Sequence, residues 1–439
     1  MMYRKLFVLW ALAPVAVVAQ VPPSAGDSLR PISLQEAVSL AQRNAPSAVQ
    51  ARGQLRTAAS GVRSAYGAFL PSLSMSMGQS KRSSERFDQN LDRFVSSAAP
   101  WTYSTGVSTG LELFDGGRRF AEIKSARAEV DAAEANEVAQ RFTIALNVKR
   151  EYANILAARE SEAAARAQLE QAQAQLRAAV ARVQAGAATM SDSLRSVIQV
   201  GNARLALITA QNNVRVASAS LTRLVGTQFM VTANPADTVE LPQTVFDSAG
   251  LMQLALDGPV VREAHQNLRV ANASVVASRS SYLPTIRMSY NYSGSGTDPY
   301  QLTSQGNFRY GTGLSFNLNF PLFNNFSRED QFVRAKIAED NAEAQLRDAR
   351  LAAQQSMVQQ LGALRTAVER IEIQHASVLA AQEDLRVMQQ RYALSASTLL
   401  DLLTSQSQLN QARAALIQAR QDYRIARAQI EAIIGRDLP

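Results

Sequence analysis

The stretch LNQARAALIQARQDYRIARAQIEAI, residues 409–433, decides the fold. Its apolar residues step alternately by three and four positions, which is the heptad repeat of a coiled coil. They are Leu409, Ala412, Leu416, Ala419, Tyr423, Ala426, Ile430 and Ile433. A 3.5-residue repeat keeps one stripe of the helix against a neighbour and imposes a left-handed supercoil. The stretch therefore predicts one partner of a closely packed helical pair.

The same pattern occurs 209 residues earlier, in VGNARLALITAQNNVRVASASLTRL at residues 200–224. This offset also separates Leu113-Phe114 from Leu322-Phe323. Further identical residues keep it: Arg119 and Arg328, Thr189 and Thr398, Asp192 and Asp401, Gly226 and Gly435. Such a register over more than a hundred residues indicates an internal duplication.

The helices predicted before the two heptad stretches are unusually long. Neither Pro nor Gly occurs from Arg118 to Gln184, and only Gly362 interrupts the same pattern from Ser327 to Ser395. A continuous helix of ~65 residues spans ~100 Å. Each copy is therefore expected to contain a long helical hairpin.

Upstream of each long helix the apolar period changes from helical to two. The clearest alternation runs from Tyr103 to Leu113 and from Phe308 to Phe320, with one apolar face and one small, polar face. Helices are expected over 33–66 and 249–282, and Pro71 and Pro284 favour extended chain after them. Each copy thus has a β-hairpin, at 70–113 and 283–322, with polar joining loops at 79–100 and 293–307.

Two interpretations of these strands remain open. A soluble sandwich alternates in the same way, but strands of about a dozen residues suit a tilted membrane strand. Aromatic residues near the strand ends are typical of a membrane interface. They include Trp101, Tyr103, Phe308 and Tyr310. If the membrane interpretation is correct, the chain must oligomerise, because a barrel needs at least ~8 strands and one chain has four; three copies would supply twelve.

The N-terminus has the three parts of a secretory signal. Arg4 and Lys5 precede an apolar run from Leu6 to Val18, and small residues favour cleavage before Gln20. Residues 1–19 are therefore expected to be a signal peptide, the alternative being a single membrane anchor. An exported chain fits the periplasm, the exterior or an outer membrane.

Composition excludes several classes of function. The chain has 439 residues, two His and no Cys, which rules out disulfides, thiolate metal sites and cysteine nucleophiles. Neither a catalytic constellation, a metal site nor a cofactor motif is present in the sequence. The formal charge of +8 comes from basic residues mixed with acidic ones, so nucleic acid is not an expected partner.

The sequence resembles the TolC family of outer-membrane efflux proteins over nearly the whole mature chain. The resemblance rests on the duplicated helix–strand–strand–helix–helix order and on six stretches. These are Phe69-Leu70-Pro71, Tyr282-Leu283-Pro284, Leu113-Phe114-Asp115-Gly116-Gly117-Arg118, Pro321-Leu322-Phe323-Asn324-Asn325, Gly186-Ala187-Ala188-Thr189-Met190-Ser191-Asp192 and Ser395-Ala396-Ser397-Thr398-Leu399-Leu400-Asp401.

The resemblance implies a mostly α-helical chain with membrane β-strands. Three copies would form a 12-stranded β-barrel in the outer membrane, continuous with a 12-helix coiled-coil barrel in the periplasm. Such proteins are exit ducts of tripartite efflux or type I secretion systems, without enzymatic activity. The implied partners are two sister copies, a periplasmic adaptor, an inner-membrane pump of RND, ABC or MFS type, and outer-membrane lipid.

The resemblance also implies functional residues at the helical hairpin turns. A constriction would involve Asp192, Asp401, Tyr392 and Thr404, the last standing where the family has a second carboxylate. The alternative for both aspartates is helix capping, since Thr189 and Thr398 precede them by three positions. The turns would contact the adaptor, although small residues also suit any tight turn. Their residues are Gly186, Ala187, Ala188, Thr189, Ser395, Ala396, Ser397 and Thr398.

The expected organisation is a first repeat over 20–226, a connector over 227–248 and a second repeat over 249–439. The long helices lie within 118–226 and 327–435. The alternative function is an exported coiled-coil adaptor or structural protein without a pore. That alternative explains the heptads but not the alternating hairpins.

Overall fold

The computed structural model describes residues 29–438, apart from Arg82, 89–91, Ala99, 238–246, 301–303 and Ser395. The predicted signal peptide, most of the second half of the connector and Ser395 of the second turn lie outside the described residues.

The chain is predominantly helical, as the sequence predicts. The helices are α1 (Leu34–Asn44), α2 (Pro46–Gly67), α3 (Arg118–Gln184), α4 (Met190–Val225), α5 (Ser248–Leu256), α6 (Pro259–Arg279), α7 (Ser327–Ala393) and α8 (Leu399–Ile434). Helices α3 and α7 have 67 residues each, and α4 and α8 have 36 each. Both shorter helices end at a left-handed glycine, Gly226 or Gly435. The two copies therefore share helix lengths and helix ends.

The heptad stripe of α8 is buried against α7. In the N-terminal half of α8, Leu409 and Leu416 pack with Val378 and Leu385 of α7. In its C-terminal half, Tyr423 and Ile430 pack with Met357 and Leu361 of α7 and with α5. Ala412 and Ile433 are partly buried, and the other six stripe positions are buried. This confirms the predicted helical pair.

The strands are β1 (Arg30–Ile32), β2 (Ser72–Ser80), β3 (Ser83–Asp88), β4 (Arg93–Ala98), β5 (Thr102–Phe114), β6 (Val231–Ala233), β7 (Thr285–Gly296) and β8 (Arg309–Asn319). The main sheet is antiparallel with the order β2-β5-β7-β8, so β2 and β8 are its edges. One face is apolar and exposed: Leu73 is 76% and Phe316 is 63% exposed. On the other face, the hydroxyls of Ser74 and Ser108 are hydrogen-bonded at 2.7 Å, and those of Ser289 and Ser315 at 2.8 Å.

Two predicted irregular segments contain strands. The loop expected at 79–100 carries an antiparallel pair, β3 and β4. In the connector, β6 pairs in parallel with β1, and this pairing buries Val231 and Ile32.

The expected helix over 33–66 is interrupted at Ala45, because Pro46 begins α2. Likewise Gly258 and Pro259 separate α5 from α6.

At the corner between the sheet and each long helix, two residues have a left-handed backbone conformation. They are Gly116 and Gly117 in the first copy, and Asn325 and Phe326 in the second. A Cβ at Gly116 would lie 2.6 Å from the Ser280 carbonyl oxygen, so only glycine fits there. These corners fix how each strand leads into its helix.

One predicted interfacial aromatic is wrong. Phe308 is fully buried within the chain, where its ring lies 5.4 Å from that of Tyr310. The turn before β8 brings Phe308 into a backbone bridge with Gln305 and folds its ring inward. Trp101 is 46% exposed, and Tyr103 and Tyr310 are partly exposed. An interfacial role for these three stays a prediction.

Among the described residues, none of the helices combines the length and the apolar character that crossing a bilayer requires.

Candidate functional site

The two hairpin turns that the sequence singles out share a backbone hydrogen bond at equivalent positions. In the first, Gly186 is left-handed and the Ala187 amide donates to the Arg182 carbonyl at 2.8 Å. In the second, the Ala396 amide donates to the Arg391 carbonyl, also at 2.8 Å. These bonds close the ends of α3 and α7. The turns are small and largely exposed.

Each following helix begins with a complete capping box. The hydroxyl of Thr189 donates to the Asp192 carboxylate at 2.9 Å, and the Asp192 amide donates back to Thr189 Oγ1 at 3.3 Å. The equivalent distances for Thr398 and Asp401 are 2.7 and 3.2 Å. The capping interpretation of both aspartates is therefore confirmed.

Capping leaves both carboxylates accessible to solvent. Hydrogen bonds from the Thr398 hydroxyl, and then from the Thr398 amide, lower the pKa of Asp401 below its usual value. Its charge therefore persists at neutral pH. Thr404 is exposed one turn further along α8, where its hydroxyl donates to the Leu400 carbonyl at 2.9 Å. Asp401 and Thr404 share one face of α8, whereas Asp192 lies on α4.

Tyr392 connects the two hairpins through a residue that sequence reasoning missed. Arg182, in the last turn of α3, donates from Nη1 to the Tyr392 carbonyl oxygen at 2.8 Å. Its guanidinium also lies over the Tyr392 ring, 4.6 Å from the centroid. The buried Tyr392 Oη has no hydrogen-bond partner among the described residues, and neither has Ser397 Oγ. The contact therefore uses the ring and the carbonyl of Tyr392.

Two polar contacts lie between the helices above the turns. Ser405 donates to Asp384 at 2.5 Å, which joins α8 to α7. Gln406 donates to Gln175 at 2.9 Å, which joins α8 to α3. A signal for the first was present in the sequence, because the heptad of α8 extended towards its N-terminus places Ser405 on the stripe. No comparable signal marks Gln175 or Arg182, whose partners are more than 200 residues away.

Comparison with known proteins agrees with this geometry. A family model described as outer membrane efflux protein matches residues 37–227 and 251–436. The pyoverdine export outer membrane protein OpmQ of Pseudomonas aeruginosa is 26% identical over 357 residues, which are 80% of this chain and 74% of that protein.

Two solved structures show the shared fold. A membrane protein from Pseudomonas aeruginosa matches with a TM-score of 0.77 and 20% identity, covering 93% of this chain and 91% of that one. The outer membrane protein VceC of Vibrio cholerae gives 0.72 and 18%, covering 92% and 97%. Since the family model matches both copies of the repeat, the chain belongs to the outer membrane efflux protein family.

Proposed function

We propose that three copies of the chain form a passive exit duct in the outer membrane, which receives its cargo from a periplasmic adaptor and an inner-membrane pump. The observation that carries this proposal is the main sheet. Among the residues that the structure describes, this sheet has two open edges, and one chain alone leaves its apolar face exposed.

The sheet edges explain why copies would associate. The outer ladders of β2 and β8 have no neighbouring strand among the described residues. Backbone groups within a bilayer must be hydrogen-bonded, so β2 of one copy has to pair with β8 of the next. Three copies give twelve strands, within the range of closed membrane barrels. The apolar face then contacts lipid and the serine-rich face lines the pore.

The long helices support the same assembly. Apolar side chains are exposed along α4 and α7, the helices that face away from the α3–α8 contact. They include Leu194, Ile198, Leu205, Ile337, Leu351 and Val358. Burying them between copies would close twelve helices into a cylinder below the barrel.

The hairpin turns are the proposed inner end of the duct. Three copies would bring up to six carboxylates, from Asp192 and Asp401, around a narrow axis together with Tyr392 and Thr404. Such a ring favours cations. The small, exposed turns at 186–189 and 395–398 would contact the adaptor.

In this assembly, each repeat of the chain supplies the same set of elements. We propose two units, 20–226 and 249–439, joined by 227–248, each supplying two strands and a long helical hairpin. The duct carries out no chemical step, and energy for transport comes from the pump. The alternative of a pore-free coiled-coil adaptor does not account for the exposed apolar face of the sheet.

Single-channel recording in planar bilayers tests this function. The full chain, purified from the outer-membrane fraction, is expected to give discrete cation-selective conductance and to migrate as a heat-sensitive trimer. Absence of conductance under all salt and voltage conditions would overturn the proposal.

Cysteine cross-linking tests the assembly directly, since the wild-type chain has no Cys. Ser76 and Gly311 lie in one row of the sheet with two strands between them. At ~4.8 Å per strand they are ~14 Å apart within a chain, too far for a disulfide. Ser76→Cys combined in turn with Gly311→Cys, Gly313→Cys and Ser315→Cys should give covalent dimers and trimers in at least one register. Monomers in every combination would contradict the pairing.

A further inference from the structure

A basic cleft lies directly below the apolar face of the sheet. The directions in which two residues of α3 point show that the cleft lies on the same side of the molecule as the apolar face. Arg118 pairs with Glu112 of the polar sheet face at 3.0 Å, so the first residue of α3 points to that side. Phe120 follows two residues later, about 200° around the helix, and is therefore below the apolar face. It is 70% exposed and packs edge-to-face on Phe69.

The cleft is formed where α6 is recessed between α3 and α7. Its volume is about 500 Å³, and a second hollow of about 350 Å³ adjoins it towards the sheet. Lys124, Val276 and Arg279 line both hollows. Phe120 and Leu283 line only the upper one. The cleft thus leads from the helical wall to the apolar band.

Its lining is strongly positive. Four cations, Lys124, Arg269, Arg279 and Lys336, face a single carboxylate, Glu339. Lys336 is paired with Glu339 at 2.6 Å, and Arg269 with Asp131 at 3.0 Å.

Two of these cations lack a counter-charge among the described residues. Within the part of the chain that the structure describes, neither Lys124 nor Arg279 makes an ion pair. The guanidinium of Arg279 stacks on Phe332, 5.7 Å from the ring centroid. Two such cations that line one cleft can together bind one phosphate group.

We propose that this cleft binds the phosphate of an anionic phospholipid in the inner leaflet of the outer membrane, with Lys124 and Arg279 as the binding residues. The acyl chains run upwards over Phe120 and Leu283 onto the apolar face of the sheet. Continuity with that face favours a lipid over a soluble anion. The inference rests on the membrane placement proposed above, and the trimer has three such sites.

Native mass spectrometry of the full-length trimer in detergent tests the site. Dioleoyl phosphatidylglycerol is titrated against dioleoyl phosphatidylcholine, and retained lipids are counted. Each cation beside an anionic surface contributes roughly fivefold in affinity at low salt, so two contribute about twenty-five-fold. Lys124→Gln combined with Arg279→Gln should lose about this factor for phosphatidylglycerol, with phosphatidylcholine unchanged.

The matched control is Arg347→Gln combined with Arg350→Gln. Both are exposed on α7, eleven or more residues beyond Lys336, and remove the same charge. This control should retain the wild-type preference for phosphatidylglycerol. A large excess of inorganic phosphate should not displace the lipid, and displacement would identify a site for free phosphate instead.

Two further results would overturn the inference: equal retention of both lipids by wild type, or an unchanged preference in the Lys124/Arg279 variant. Conductance of the same preparations separates this failure from that of the proposed function. A conducting channel without lipid preference contradicts only the lipid site, whereas a wild type that never conducts contradicts the duct itself.

Discussion

Arg182 contacts Tyr392 in two ways, although 210 residues separate them in sequence: it donates a hydrogen bond to the Tyr392 carbonyl oxygen and stacks on the Tyr392 ring. The two residues lie in the last turns of α3 and α7. Within one copy, the contact therefore joins the two hairpins at their ends. If these ends close the duct, separating them requires this contact to break.

Arg182→Ala is expected to favour the open duct. A hydrogen bond from a charged donor and a cation–π contact together contribute about 2 kcal/mol, or roughly thirtyfold in a two-state equilibrium. Single-channel recording should show the open probability rising by about this factor, with the conductance of the open state unchanged.

Arg391 provides the control, because it occupies the position of Arg182 in the second repeat and is exposed. Arg391→Ala should leave gating unchanged. Tyr392→Phe should behave as wild type, since Oη has no partner among the described residues, whereas Tyr392→Leu should resemble Arg182→Ala. A closed, wild-type-like channel in Arg182→Ala would show that this contact does not hold the ends together.

Capping and ion selection by Asp401 can be separated. Thr398→Val removes the hydroxyl of the cap and keeps the carboxylate, so it should cost about 1 kcal/mol of stability and preserve cation selectivity. Asp401→Asn should instead lower cation selectivity, measured as reversal potential in a salt gradient. Equal selectivity in wild type and Asp401→Asn would leave Asp401 a capping residue only.

The pH dependence of the same carboxylate follows from its hydrogen bonds. Because Thr398 lowers the pKa of Asp401, its charge and its contribution to stability are fully present above the usual aspartate pKa of about 4. Both are lost as the pH falls through the lowered value. Thr398→Val removes the main cause, so the pKa should return towards normal.

In Thr398→Val, cation selectivity should therefore disappear at a higher pH than in wild type. Reversal potentials recorded from about pH 7 down to about pH 3 would locate the two midpoints. Coincident midpoints would mean that Thr398 does not tune this group.

The features that the sequence predicted depend on local periodicity. The uninterrupted α3 from Arg118 to Gln184, the heptad stripe of α8 and the alternation of β5 each extend over many residues, so one irregular residue hardly alters the pattern. The duplication strengthened each prediction by repeating it. The two capping boxes were also readable, because Thr and Asp three positions apart interact within one turn.

The features that were missed depend on distant or short contacts. The strand β6 has three residues and exists only because β1, about 200 residues earlier, pairs with it. Burial of Phe308 depends on a turn that folds the ring inward, which alternation alone does not reveal. Arg182 looked like one more solvated arginine, since its partner Tyr392 is brought near only by the packing of the two hairpins.

The C-terminal end of α8 is fastened to α3 by a buried charge cluster. Glu431, whose side chain is 9% exposed, accepts from Lys149 at 2.6 Å and from Arg427 at 3.2 Å. Burial would lower the pKa of Lys149, but hydrogen bonds to Asp437 and Glu431 outweigh it and raise this pKa. The ammonium therefore stays charged at neutral pH.

Glu431→Gln should thus leave two cations without their buried counter-charge, at a cost of about 3 kcal/mol. The control Asp257→Asn breaks the pair with Arg262, in which both side chains are more than 60% exposed, and should cost less than about 1 kcal/mol. Denaturant unfolding followed by far-ultraviolet circular dichroism compares the two. Similar losses in both variants would contradict a structural role of the cluster, because burial is the property that distinguishes Glu431 from Asp257.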